Sequence, residues 1–241
     1  MDGFLNNPMQ WHDKGIILSS RPYNESYYLA SLLTLDHGRH VGMMRSRKKP
    51  LFSAQLQPGN LVHAVWSARL SESLGFWRLE NEKMNWFHLV KSPKKLAALS
   101  CLCTLLDRAL PERHPYPHLY QSVLKVLQIL TTQNDWQRAY LQFELDLLAC
   151  LGFGLTLNTC AVTRSLDNLT YVSPKSGHAV CDTVAKPYAD RLLKLPAFLL
   201  DESLDYSVED LQDAYRLTGY FLSCYIFENK DLPLLRQQLA A

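Results

Sequence analysis

The chain has 241 residues, of which 47% are hydrophobic, 20% are charged and 11% are aromatic, and its formal net charge is +2. This composition excludes a disordered chain and permits one large domain or a few small ones. No apolar run approaches the ~20 residues that a membrane helix needs, and the N-terminus lacks the basic and apolar blocks of a secretory signal, so we expect a cytoplasmic protein.

The first third of the chain, residues 1–83, predicts a domain of short strands. Apolar and aromatic runs are separated by turn signals that contain Gly or Pro. One run, 26–34, also fits a helix by periodicity, but its aromatic residues and its flanks favour a strand. Strands of this length and spacing favour a small barrel or sandwich. The predicted strands are 14–20, 26–34, 39–45, 60–70 and 74–81.

Residues 92–241 predict a helical domain with an irregular insertion. Ser92 and Pro93 suit the start of a helix, and Ser207 with Asp210 resembles a capping box. The insertion, 155–184, contains turn residues and one short strand at Tyr171-Val172. A further short helix is predicted just beyond the insertion, at about 185–196.

The six cysteines predict reduced thiols, because a chain of this length does not need disulfides to stabilise its core. Four of them lie in apolar helical patterns, where we expect them to be buried. The other two, Cys160 and Cys181, lie near the two ends of the insertion.

Sequence motifs for catalysis are absent. The chain has no glycine-rich phosphate loop, no dinucleotide fingerprint, no zinc-protease motif and no nucleophile elbow. His12-Asp13 could in principle supply an acid and a base, but a solvated pair is the favoured interpretation. We therefore predict that the protein is not an enzyme.

The segment 37–70 contains six basic residues and neither Asp nor Glu, although the whole chain has 25 Lys and Arg against 23 Asp and Glu. Cations without neighbouring carboxylates are free to bind successive phosphates, which predicts a nucleic-acid surface. A solvated basic loop explains the same pattern on this observation alone. The candidate phosphate-binding residues are Arg39, Arg45, Arg47, Lys48, Lys49 and Arg69.

Three aromatic residues near the end of the strand-rich region are candidate stacking platforms: Trp66, Phe76 and Trp77. Strand alternation places Phe76 and Trp77 on opposite faces, so at least one of them belongs to the core. Arg78 would extend the groove. A small barrel with a basic hairpin fits an oligonucleotide-binding (OB) fold, which binds single strands with cations and aromatic rings.

The order of several segments resembles the RecO family of recombinational repair proteins, especially its proteobacterial members. These segments are "GIILSSRPYNESYYLASLLTLDHGRHVGMMR", "LQPGNLV", "FELDLLACLGFG", "YVSPKSGHAVC" and "RLTGYFLSCYI". The resemblance implies an α+β protein with an N-terminal OB barrel and a helical C-terminal domain that carries a zinc-ribbon-like insertion. It also implies that the protein binds single- and double-stranded DNA, anneals complementary strands and performs no covalent chemistry.

The resemblance further implies protein partners. These are RecR, the acidic Phe-ended tail of single-strand binding protein (SSB), and indirectly RecA, which is loaded onto SSB-coated strands at the bacterial nucleoid. An acidic tail of this kind needs an apolar pocket rimmed by cations. Arg138 is the candidate cation, with Phe143 and Leu147 as the candidate pocket wall. An exposed arginine above a core stripe is the alternative, and the pattern favours it.

The insertion departs from the family pattern at its metal ligands. Zinc-bearing members have two Cys-x-x-Cys pairs, whereas Cys160 and Cys181 each keep only the first cysteine. His178 offers a third donor, and tetrahedral zinc needs four. We therefore expect a metal-free remnant and no cofactor.

Two other functions fit the same residues. One is an RNA-binding OB protein, and the other is a protein scaffold that binds SSB or RecR with little affinity for nucleic acid. The RNA-binding protein would bind the same surface with a preference for RNA, whereas the scaffold would not depend on the basic segment.

Overall fold

A computed structural model describes residues 9–46, 52–70, 73–228 and 231–239. The chain divides into two units, Met1–Gln121 and Ser122–Ala241. Within the described part of the chain, none of the helices combines the length and the apolar character needed to cross a membrane.

Five strands of the first unit form a closed barrel in the order β1-β2-β3-β5-β4. All neighbouring strands are antiparallel except β3 and β5, which pair in parallel over two positions. The predicted strands are confirmed, including 26–34, and with the helical second half they give the predicted α+β fold. The strands are β1 (Met9–Pro22), β2 (Tyr27–Thr34), β3 (Gly38–Arg45), β4 (Leu61–Ala68) and β5 (Gly75–Lys83).

Side-chain alternation along these strands fills the barrel with apolar residues. Along β4, for example, Val62, Ala64 and Trp66 point inward, and the residues between them point outward. Burying one large apolar side chain stabilises a fold by about 1.5–3 kcal/mol, so this interior provides much of the stability of the barrel. Its buried core consists of Ile17, Ala30, Leu32, Leu56, Val62, Ala64, Trp66, Ala68 and Trp77.

The parallel contact between β3 and β5 depends on two glycines. Gly42 lies opposite Gly75. A Cβ atom at Gly75 would lie 2.3 Å from Cε2 of Trp66, and one at Gly42 would lie 2.7 Å from Nε1 of Trp77. Only residues without a side chain therefore let the two strands approach each other over the two indole rings.

Helix α3 packs against the barrel at β1. The Cys103 thiol of this helix donates to the carbonyl oxygen of Ile17 at 3.8 Å. The first unit therefore includes this helix as well as the barrel. The helix begins at Pro93 as predicted, although the Ser92 side chain makes no capping hydrogen bond. The helices of this part are α1 (Phe52–Gln55), α2 (Asn85–Leu89) and α3 (Pro93–Ala109).

The second half of the chain is mainly helical, and α5 packs against α7. The capping box predicted from Ser207 and Asp210 is confirmed at the start of α7, where both reciprocal hydrogen bonds form. The helices are α4 (Pro117–Thr132), α5 (Gln137–Cys150), α6 (Asp182–Ala185), α7 (Val208–Tyr225) and α8 (Leu234–Gln237).

The insertion forms a three-stranded sheet in the order β7-β6-β8. The predicted strand at Tyr171-Val172 is confirmed. The short helix predicted at 185–196 is wrong in its second half, because Leu193 and Lys194 form a strand that pairs with β6. Its first half is a 3-10 helix, Lys186–Arg191. The strands are β6 (Leu169–Val172), β7 (Ala179–Cys181) and β8 (Leu193–Lys194).

All six cysteines are free thiols, as predicted. Of the four in helices, Cys101 and Cys103 are buried, whereas Cys150 and Cys224 are partly exposed. The predicted burial is therefore correct for the two cysteines of α3 and wrong for those in the last turns of α5 and α7.

Candidate nucleic-acid interface

A row of directly paired residues crosses the outer face of the barrel. Arg21 lies opposite Leu29, Leu29 opposite Met43, and Met43 opposite Phe76. Paired residues face the same side of a sheet, so these four side chains lie in one row. Arg21 is exposed and Phe76 is 46% exposed. The row therefore has an exposed cation at one end and an exposed aromatic ring at the other. The partly buried side chains of Leu29 and Met43 lie between them.

A second pair lies beside this row. Tyr27 is opposite Arg45 at the end of the β2–β3 ladder. The ring of Tyr27 lies 6.0 Å from the ring of Phe76, measured between centroids, and the two planes are tilted by 60°. Proteins that bind single-stranded nucleic acids combine aromatic rings, on which bases stack, with positive charges that attract the phosphates. Two neighbouring rings beside an arginine provide both.

Arg45 and Arg78 line one cleft of about 130 Å³ between the end of β3 and the middle of β5. The cleft exists because these two strands pair only at Gly42 and Met43. Both arginines are exposed, and no ion pair among the described residues involves either of them. The remaining lining residues are Met44, Gln55, Leu56, Trp77, Leu79 and Asn81.

Arg39 has a different role from the one predicted. Its Nε donates to the carbonyl oxygen of Leu110 at 2.7 Å, and its guanidinium lies 3.5 Å from Asp107 and 3.4 Å from Glu112. The backbone of Arg39 also accepts a hydrogen bond from the N–H of Arg113. Arg39 therefore binds the segment after α3, and we exclude it from the phosphate-contacting set.

The other predicted cations divide into two groups. Arg69 is exposed directly after β4, in which Ser67 pairs with Phe76, so it lies at the same end of the barrel as Phe76. Arg47, Lys48 and Lys49 lie outside the described residues, and their role stays a prediction.

The aromatic residues divide as strand alternation predicts. Trp66 and Trp77 are in the core, with 1% and 4% of their surface exposed, whereas Phe76 points outward. The Nε1–H of Trp77 donates to the carbonyl oxygen of Ala30. Sequence reasoning missed Arg21 and Tyr27, because only the strand register places Arg21 in one row with Phe76 and Tyr27 next to the Phe76 ring.

In the second unit, the predicted SSB-tail wall is not accessible. Phe143 and Leu147 are fully buried in the core around α5. A pocket for a terminal Phe would need these side chains on the surface. The structure therefore corrects both assignments.

Arg138 is also engaged elsewhere. Its guanidinium lies over the rings of Phe198 and Tyr206, at 5.3 and 5.2 Å from their centroids. Its N–H groups fix the loop before α7 by donating to the carbonyl oxygens of Phe198, Asp201 and Leu204.

The insertion does not offer a set of ligands for zinc. The Sγ atoms of Cys160 and Cys181 lie together, but the polar side chains beside them are the hydroxyls of Thr163 and Thr183. Among the described residues, no group of three or more His, Cys, Asp or Glu could hold a metal ion. His178 thus does not complete a metal site, and these residues do not fit tetrahedral zinc.

A closed five-stranded barrel with this strand order places the first unit in the class of OB-fold domains. Two family models match the chain. "Recombination protein O N terminal" covers residues 9–79, and "Recombination protein O C terminal" covers residues 90–232.

Curated relatives cover nearly the whole chain. The DNA repair protein RecO of Sinorhizobium medicae is 42% identical over 224 residues, which are 93% of this chain and 90% of the relative. The RecO of Rhodospirillum centenum is 43% identical over 232 residues, which are 95% of this chain and 92% of the relative. The chain belongs to the RecO family of DNA repair proteins.

Proposed function

We propose that this chain is a non-enzymatic recombination mediator. It binds single- and double-stranded DNA, anneals complementary strands and, together with RecR, helps to load RecA onto SSB-coated strands. Membership of the RecO family supports the role in DNA repair. The observation that carries the DNA-binding step is the surface formed by Tyr27, Arg45, Phe76 and Arg78, which we call the barrel platform.

The barrel platform suits an unpaired strand better than a duplex. A base can stack on Phe76 only when it is not already stacked within a helix, whereas the arginines can bind the phosphates of either form of DNA. Contacts to rings and phosphates do not distinguish sequences. The same surface also neutralises charge on two strands, which lowers their mutual repulsion and favours annealing.

The protein partners follow from the family resemblance. We propose contacts with RecR and with the acidic tail of SSB, in the cytoplasm of a bacterium at its nucleoid. The tail must bind somewhere other than the wall of Phe143 and Leu147, which lies in the core.

Salt titration of single-strand binding tests the arginines. Replacing Arg45 or Arg78 with Ala should weaken binding and reduce the slope of log K against log salt by about 0.7 for each lost phosphate contact. The matched control is Arg108→Ala, because Arg108 is an exposed arginine on α3. An unchanged affinity and slope for both variants would remove the barrel platform from the mechanism.

An abasic oligonucleotide isolates the stacking contribution of Phe76. The substitution Phe76→Ala should cost about 1–3 kcal/mol of binding energy to a normal strand, because one base loses its platform. It should change little on an abasic strand of equal length, which has phosphates but no bases. Equal losses on both strands would mean that Phe76 acts through the shape of the barrel rather than by stacking.

Annealing of SSB-coated complementary strands tests the function as a whole. We expect the wild-type chain to accelerate annealing and the double variant Arg45→Ala/Arg78→Ala to do so much less.

Competition with RNA of equal length distinguishes the RNA-binding alternative, since a strong preference for RNA would contradict the repair function. A chain that binds SSB but no DNA would instead be a scaffold.

A further inference from the structure

Two cysteines that are 21 positions apart meet inside the insertion. The Sγ atoms of Cys160 and Cys181 lie 3.4 Å apart. Both residues are buried, and Cys160 has no exposed surface. Two thiols at this distance are in van der Waals contact, and closing an S–S bond between them needs a further approach of only about 1.4 Å.

Backbone hydrogen bonds on both sides hold the two cysteines in place. The N–H of Ala161 donates to the carbonyl oxygen of Ala179 at 2.8 Å, which joins the two segments next to the thiols. Cys160 is held in a turn by its own N–H, which donates to Ser165. Cys181 pairs with Leu169 across the β6–β7 ladder. The path of the backbone therefore brings the two cysteine-bearing segments together.

A hydrogen-bond donor also points at the Cys160 sulfur. The N–H of Cys181 donates to Cys160 Sγ at 3.4 Å. A donor in this position stabilises the thiolate, which is the nucleophile in thiol chemistry.

We propose that Cys160 and Cys181 form a redox-active dithiol, which a peroxide oxidises to a disulfide and a small thiol reduces again. In the first step a local opening of the insertion exposes the buried Cys160 sulfur, which attacks hydrogen peroxide; the O–O bond breaks, and a sulfenic acid and one water form. In the second step the Cys181 thiol attacks the sulfenic sulfur, the S–S bond forms, and a second water leaves. The two thiols together lose two protons and two electrons, and the peroxide gains them.

The oxidised insertion would be more rigid than the reduced one. The disulfide would close a ring of residues between the turn at Cys160 and strand β7, which restricts the opened forms of this segment. Intracellular disulfides are commonly transient and redox-sensing, which suits a reversible bond in this position. This inference is independent of the proposed DNA-binding function.

Peptide mapping of the full chain tests the proposal directly. The native protein is treated with hydrogen peroxide, free thiols are alkylated after unfolding, and the digest is analysed with and without reductant. We expect a cross-linked peptide pair containing Cys160 and Cys181 that disappears on reduction. The partly exposed Cys150 and Cys224 are internal controls and should not appear in a cross-linked peptide pair. If Cys160 and Cys181 stay alkylated as well, or cross-link to other cysteines, the proposal is overturned.

A second variant separates the two steps. In Cys181→Ser the attacking thiol is missing, so Cys160 should accumulate as a sulfenic acid that dimedone labels, whereas the wild type should show little label. Should this variant fail to fold, hydrogen exchange of the wild type gives the second measurement. Oxidation should slow exchange within 160–181 and leave the barrel strands unchanged, and equal exchange in both redox states would contradict the proposed disulfide.

Discussion

Arg236 and Glu144 form a doubly hydrogen-bonded ion pair in the core of the second unit. Nε of Arg236 lies 2.8 Å from Oε1 of Glu144, and Nη2 lies 2.8 Å from Oε2. The hydroxyl of Thr218 donates to the same carboxylate, and Nη2 also donates to the carbonyl oxygen of Tyr215. Both charged groups are almost fully buried, and their polar atoms are satisfied by one another and by neighbours. The pair therefore fixes α8 to α5 and α7.

Removing one member of this pair should be much worse than removing both. Arg236→Leu leaves the buried carboxylate without its counter-ion, which typically costs about 3–5 kcal/mol in the free energy of unfolding. The double variant Glu144→Leu/Arg236→Leu should recover much of this loss, because no buried charge remains. Urea unfolding of the wild type, both single variants and the double variant measures the coupling. Additive losses would show that the two side chains act separately.

Replacing Arg39 should affect stability and not DNA binding. In Arg39→Leu the carbonyl oxygen of Leu110 loses its donor, which costs about 1–3 kcal/mol for a buried acceptor. The ion pairs with Asp107 and Glu112 add little, since both carboxylates are partly exposed. The salt slope of single-strand binding should stay at the wild-type value, in contrast to Arg45→Ala. A reduced slope with unchanged stability would return Arg39 to the phosphate-binding set.

His40 should make the barrel sensitive to acid. The imidazole is buried against the rings of Trp11, Trp66 and Trp77. Burial is the largest cause that lowers its pKa below 6.5, and the charges of Arg113 and His37 act in the same direction. The carbonyl of His37 and the carboxylate of Glu112 oppose this shift only in part.

The sign of the effect follows from proton uptake. The unfolded chain binds a proton at His40 more readily than the folded chain, so stability is lost as the pH falls below the unfolded pKa of about 6.5. In His40→Leu this contribution should disappear, and the urea midpoint should change less between about pH 7 and about pH 5. His118→Gln is the control, because His118 is exposed on α4. Parallel pH profiles for His40→Leu and the wild type would contradict the assignment.

Local patterns predicted the elements, and long-range pairing determined the site. Strand alternation correctly placed Phe76 outside and Trp77 inside, because a period of two depends only on neighbouring residues. The absence of acid around Arg39 was misleading, since its partner Glu112 is 73 positions away and the fold brings the two together. Tyr27 joined the barrel platform only through the strand register. These contacts join residues that are far apart in the sequence, so local patterns in a single chain do not predict them.

The closure of the barrel gives a last prediction, at Gly75. A methyl group at this position would lie 2.3 Å from the Trp66 ring, which is held in the core. Gly75→Ala should therefore push β5 away from β3. The free energy of unfolding should fall by the ~1–3 kcal/mol typical of an overpacked core, or by more.

The control for Gly75→Ala is Gly15→Ala, where the nearest atom is the Leu32 Cδ2 at 3.1 Å, the end of a flexible side chain. Urea unfolding should show a clearly larger loss for Gly75→Ala than for Gly15→Ala. The double variant Gly75→Ala/Trp66→Phe should regain part of the loss, since a smaller ring leaves space for the methyl group. Because Phe76 follows Gly75 in the same strand, Gly75→Ala should also weaken single-strand binding. Wild-type stability and DNA affinity in this variant would show that β3 and β5 do not need the close approach.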